Sequence, residues 1–62
     1  MNTQYDEIYD SIVNGQFKQF VEQFDELSTL DQTEWLNYVA YELDQPDMVV
    51  RAMQAYFNVK GR

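Results

Sequence analysis

A chain of 62 residues with neither cysteine nor histidine cannot be stapled by disulfides, and it lacks the thiolate and imidazole ligands that structural zinc prefers. Eleven acids against four bases give a net charge of −7, which turns the surface away from nucleic-acid phosphates and anionic lipid and toward basic partners. A chain this short buries only about 60% of its unfolded surface, so residues 1–62 form one domain. Its cohesion must come from packing of four Phe, five Tyr and one Trp, or from self-association.

Charge is unevenly spread. Residues 1–47 hold all eleven acids and a single base, Lys18, whereas residues 48–62 hold Arg51, Lys60 and Arg62 and no acid. The N-terminal MNTQYDEIYD carries acids where a secretory leader carries bases and then apolar residues. No apolar run approaches the roughly 18 residues of a membrane span. A cytoplasmic protein without membrane association is the expectation.

The first helix is predicted over 4–13, because Tyr5, Ile8, Tyr9 and Ile12 recur at i, i+3, i+4 and i+7 on one helical face. Thr3 and Asp6 have capping-box spacing, and Asn14-Gly15 tolerates the left-handed backbone that closes a helix. The second, over 16–27, lines up Phe17, Phe20, Val21, Phe24 and Leu27 with its charges opposite. In the third, over 31–44, Ser28 or Asp31 can serve as N-cap, and Pro46 forces Gln45 out of helical geometry. Centring its inner face on Leu36 places Val39, Ala40 and Leu43 in the core. Trp35 then falls on the flank, and Tyr38 and Tyr41 come out on the far side among Glu34 and Glu42, either half-buried under another helix with their hydroxyls in water or displayed as an aromatic patch rimmed by acids. The fourth, over 46–58, opens on Pro46 with Asp47 beside its positive end. Val49, Val50, Ala52, Met53, Tyr56 and Phe57 cover more than half of its circumference. Met48, Ala55 and Val59 extend the apolar arc and are the candidate contacts of a dimer. Tight turns join the segments, so the expected architecture is all-α, a compact bundle of three to four short helices.

Little points to catalysis. There is no His base and no Cys nucleophile, and neither a G-x-S-x-G elbow nor a Gly-rich phosphate loop is present. Paired carboxylates on a mini-domain have little cleft to desolvate them. The stretch from Asp25-Glu26 to Asp31 lacks the central Gly and ligand spacing of an EF-hand, and a helix-turn-helix reading founders on one Lys against five or more acids. The expectation is a non-enzyme with no metal, no cofactor and no direct contact with nucleic acid.

Two surfaces are candidates for a partner. One is the acidic face of the first two helices, Asp6, Glu7, Asp10, Glu22, Asp25 and Glu26, whose i, i+4 acids lie about 6 Å apart along the axis, near the phosphate spacing of a nucleic-acid strand. The other is the aromatic-acidic face of the third helix, Glu34, Trp35, Tyr38, Tyr41 and Glu42, of a type enriched at interface centres. The composition resembles that of small virus-encoded inhibitors and DNA mimics, which are short, acidic and Cys-poor. That resemblance implies an inhibitor or adaptor of viral or mobile-element type whose carboxylates occupy a basic site on a partner protein, one that itself binds nucleic acid. The alternative is a structural or regulatory homodimer whose acidity serves only solubility.

Overall fold

A computed structural model describes residues 3–61. Four α-helices follow in chain order: α1 (Thr3–Val13), α2 (Phe17–Asp25), α3 (Thr29–Asn37) and α4 (Pro46–Lys60), with a π-helical segment, Tyr38–Glu42, continuing α3. No strand occurs among the described residues. This is the small all-α bundle that the periodicity requires. α1 and α2 pack as a hairpin, and α4 lies across α2 and the π segment.

The turns show why the helices stop where they do. Gly15 adopts φ +74°. Its N–H donates to the Ile12 carbonyl (3.1 Å) and the Gln16 N–H to that of Ser11 (2.8 Å), so α1 ends in a Schellman closure. The position preceding α1 lies outside the described residues, and the Asp6 carboxylate, expected in a capping box with Thr3, accepts instead from the Tyr38 hydroxyl. For α3 the choice of cap is resolved in favour of Ser28, whose Oγ accepts from the Asp31 N–H at 3.1 Å. The helix therefore starts two residues before the expected position 31.

The core is built from Ile8, Ile12, Phe20, Val21, Phe24, Leu27, Trp35, Val39, Ala52 and Ala55. At its centre Trp35 is 0% exposed, with ring centroids 5.6 Å from both Phe20 and Phe24. This corrects the predicted orientation of the third helix. Its inner face is centred on Trp35, one residue or about 100° away from Leu36, and Leu36, Ala40 and Leu43 are only half-buried. Hydropathy misleads here because Gln32, about one turn earlier, is polar but turns its side chain inward. Gln32 Nε2 donates to the Phe24 carbonyl (3.0 Å), satisfying a carbonyl at the end of α2, and the Asp31 carbonyl accepts from the Tyr5 hydroxyl (3.3 Å). Trp35 itself donates from Nε1 to the Tyr5 carbonyl at 3.2 Å, so its polar edge is satisfied inside the core.

The π segment acts on the same face. At 100° per residue, position 43 of a regular helix would lie about 80° from the azimuth of Trp35. The wider turn, in which the Leu43 N–H reaches the Tyr38 carbonyl (3.1 Å), brings Leu43 back toward Val39 and the core and throws Tyr41 outward, where it is 80% exposed.

The segment then closes with Asp44 at φ +53°, and the Gln45 N–H reaches back to Val39 (3.0 Å). This is the left-handed position that glycine fills in most such closures. Asp44→Gly is expected to raise the urea midpoint, a gain of roughly 0.5–1 kcal/mol from relief of the Cβ clash, at unchanged m-value. Asp44→Asn removes the charge but keeps a side chain and should gain less. An Asp44→Gly protein no more stable than wild type would show that the backbone at this position is unstrained.

In α4 the inner face is Ala52, Ala55, Tyr56 and Val59, with Met48 and Val49 half-buried beside them. Ala55, a candidate dimer contact, is only 7% exposed. The chain's own core takes it up, and Met48 and Val59 pack against that core as well. The large apolar residues of α4 left in solvent are Val50 and Phe57.

Candidate protein-interaction surface

The two predicted surfaces do not survive as drawn, because the fold recombines them. α1 contributes Tyr5 and Asp6 to the line along which it meets α3, and α3 with its π extension contributes Asp31, Glu34, Tyr38 and Glu42. The Tyr5 and Tyr38 rings lie 5.8 Å apart at 48°. The Tyr38 hydroxyl donates to Asp6 Oδ1 at 3.3 Å, and the Tyr5 hydroxyl also bonds the Glu34 carboxylate. Burial first, and then these neighbouring carboxylates, push both phenols above the ordinary tyrosine value of 10.0. The result is a seam of two half-buried rings bordered by Asp6, Asp31, Glu34 and Glu42. Neither α1 nor α3 with its π extension contains a base.

Trp35 is lost to this surface, being wholly buried, and Tyr41 stands apart on the outward side of the π segment. Asp31 and Tyr5 are gained. Both escaped the sequence reading, Tyr5 because its spacing marks it as core and Asp31 because its position marks it as a cap.

The acids of α1 and α2 are likewise divided. Asp6 is drawn toward α3 and Asp25 toward α4, which leaves Glu7, Asp10, Glu22 and Glu26 in solvent. Asp25 is no longer an uncompensated charge. Lys60 Nζ lies 2.7 Å from its Oδ2, the Tyr56 hydroxyl donates to its Oδ1 at 2.8 Å, and Lys60 also sits 5.7 Å from the Tyr56 ring centroid. Hydrogen bonds from Lys60 and then Tyr56 hold the Asp25 carboxyl below its ordinary 3.8, while the bond to Asp25 raises both Tyr56 and Lys60.

The signs fix how this clasp depends on pH. A depressed carboxyl contributes stability that is full above the unfolded value and is lost as pH falls through the folded one. The raised Lys60 and Tyr56 contribute stability lost as pH rises through theirs, above about 10. Because the pair is exposed, the effect is small. Asp25→Asn is expected to lower Tm by a few degrees at most at pH 7, and the difference from wild type should shrink as the pH falls below 3.8 and through the lower folded value. A difference that persists undiminished at pH 2 would show that Asp25 acts by packing alone.

The chain matches no protein-family model, no curated protein and no solved structure. Its chemistry must therefore be read from its own surface. Among the described residues, no group of three or more acids is placed to hold a metal ion, and no helix is long and apolar enough to cross a membrane. The cavities are shallow. One, of about 170 Å³, lies at the start of α4 between Gln45, Asp47, Met48 and Arg51.

Proposed function

We infer that this chain is a small non-enzymatic binding module that presents an acidic, aromatic surface to a basic site on a partner protein. The observation that carries this reading is the seam of α1 and α3. Two tyrosine rings 5.8 Å apart are bordered by four carboxylates from elements that contain no base. Such an arrangement accepts arginine or lysine side chains in two ways at once. The carboxylates take charge-assisted hydrogen bonds, and the ring faces take the cation and its aliphatic stem. Competition follows from the same chemistry: guanidinium and ammonium groups engaged here are unavailable to phosphates, which makes a nucleic-acid-binding protein the partner class that such an inhibitor suits.

The test is calorimetric titration with an oligo-arginine peptide. Binding should weaken steeply with salt, because exposed charges are screened beyond about 8 Å at physiological ionic strength, and it should perturb tyrosine fluorescence. Binding that is indifferent to salt or silent in the tyrosine signal would remove the basis for this reading.

A further inference from the structure

We propose that the outward face of α4 is a self-complementary surface on which a second copy of this chain docks antiparallel. Three observations meet there.

The first is a knob. Phe57 is 66% exposed and Val50 57% exposed, and seven positions along a helix places them on one stripe, about two turns or 10.5 Å apart. Phe57 rests edge-on against Tyr56 at 5.9 Å, so the ring is braced in place although its outer face is bare.

The second is a hole on the same helix. A groove of about 170 Å³ is lined by Phe17, Arg51, Gln54, Ala55, Asn58 and Val59. Its floor is apolar, made of Phe17, Ala55 and Val59, and its rim is Arg51, Gln54 and Asn58. The small Ala55 side chain, at 7% exposure, opens the space, and Phe17, at 40%, forms its far wall. A knob and a hole carried by one helix are the requirement for an isologous contact, in which each copy gives the other what it receives.

The third is charge. Two chains of −7 repel over most of their surfaces. α1 holds three acids and no base, and α3 with its π extension also holds only acids. In α4, by contrast, Asp47 is the only acid beside Arg51 and Lys60, and Lys60 is turned aside to Asp25. The α4 face is where two copies approach with least cost. With the twofold axis beside Gln54, antiparallel pairing sets Arg51, on the rim of the groove, opposite the partner's Phe57, a guanidinium over a ring face, and sets Val50 opposite the partner's Asn58.

This contact shares no residue with the acidic seam, so it stands whether or not the seam binds a basic partner. Its salt response is also opposite, since added salt screens the repulsion between like-charged copies and leaves an apolar contact intact or strengthened.

Sedimentation equilibrium of the full chain at low and high salt tests the idea. Wild type should rise with concentration toward twice 7.4 kDa, and no less readily at high salt. Phe57→Glu should weaken the dimer by at least about tenfold with an unchanged circular dichroism spectrum, whereas Tyr41→Glu should dimerise as wild type does. Because the chain has no cysteine, Gln54→Cys should oxidise to a disulfide-linked dimer far more completely than the exposed control Asn37→Cys. A wild type that stays at monomer mass throughout, equal dimerisation by wild type and Phe57→Glu, or equal cross-linking at positions 54 and 37 would each overturn the proposal.

Discussion

Trp35→Ala should abolish folding at room temperature, while Leu36→Ala, one position away, should leave a folded protein with a lower melting point. The argument turns on what each side chain fills. Trp35 has no exposed surface, touches the rings of both Phe20 and Phe24 and ties α3 to α1 through its bond to the Tyr5 carbonyl. Removing it opens the largest hole that any single truncation can make in this core, at about 3–5 kcal/mol, and also deletes the indole bond that ties α3 to the Tyr5 carbonyl. A domain of this length has a total stability of roughly 3–9 kcal/mol at 0.05–0.15 kcal/mol per residue, so the loss is comparable to the whole. Leu36 is half-buried, and its truncation forfeits about 1–2 kcal/mol of transfer free energy. Urea unfolding followed by circular dichroism separates the two. A folded Trp35→Ala with a collapsed Leu36→Ala would mean that the inner face of α3 is centred on Leu36 after all. Trp35→Phe refines the result, since it keeps most of the ring volume but deletes the indole donor, and should cost about 1–3 kcal/mol.

That contrast also shows where sequence reasoning reaches its limit. The number of helices, the turn at Gly15, the break before Pro46 and the apolar stripe of α2 all follow from periodicity and backbone chemistry, because in those places local preference and tertiary packing agree. The third helix is different. Its inward face includes Gln32, whose side-chain amide donates to a carbonyl at the end of α2. A polar residue used in this way is indistinguishable in sequence from one pointing to solvent. The π turn adds a second obstacle, since no pattern of apolar residues announces it, and it changes the phase of everything after Tyr38. Both effects act on the aromatic-acidic face. Periodicity therefore misplaces Trp35, whereas Tyr41, left open by its spacing, is sent outward by the widened turn. The seam itself was half legible. Glu34, Tyr38 and Glu42 come from one predicted surface and Asp6 from another, and only the packing of α1 on α3 brings them together.

Reversing Glu34 and Glu42 to Lys is expected to cause the largest loss of binding to a basic partner, well beyond that from reversing Glu22 and Glu26. The two double variants change net charge equally, so a response to the overall field alone would make them indistinguishable. They differ in what surrounds the charge. Glu34 and Glu42 flank the tyrosine pair, where an approaching guanidinium meets carboxylate and ring together, while Glu22 on α2 and Glu26 at its C-terminal cap lie outside that pair. Each exposed pair contributes about 0.2–1 kcal/mol. Converting two attractive contacts into two repulsive ones therefore removes on the order of 1–4 kcal/mol, a Kd between about fivefold and several-hundredfold weaker. Glu34 and Glu42 are exposed, and a lysine at either site relieves rather than adds like-charge repulsion, so Tm should hold within a few degrees. Tyr38→Phe provides the complementary measurement. It removes the hydroxyl that holds Asp6 and keeps the ring, so ring-mediated affinity should persist while the salt dependence steepens as Asp6 is released to solvent. Equal losses from the two double reversals, with Tyr38→Phe without effect on the salt slope, would reduce the acidity of this chain to a solubilising coat.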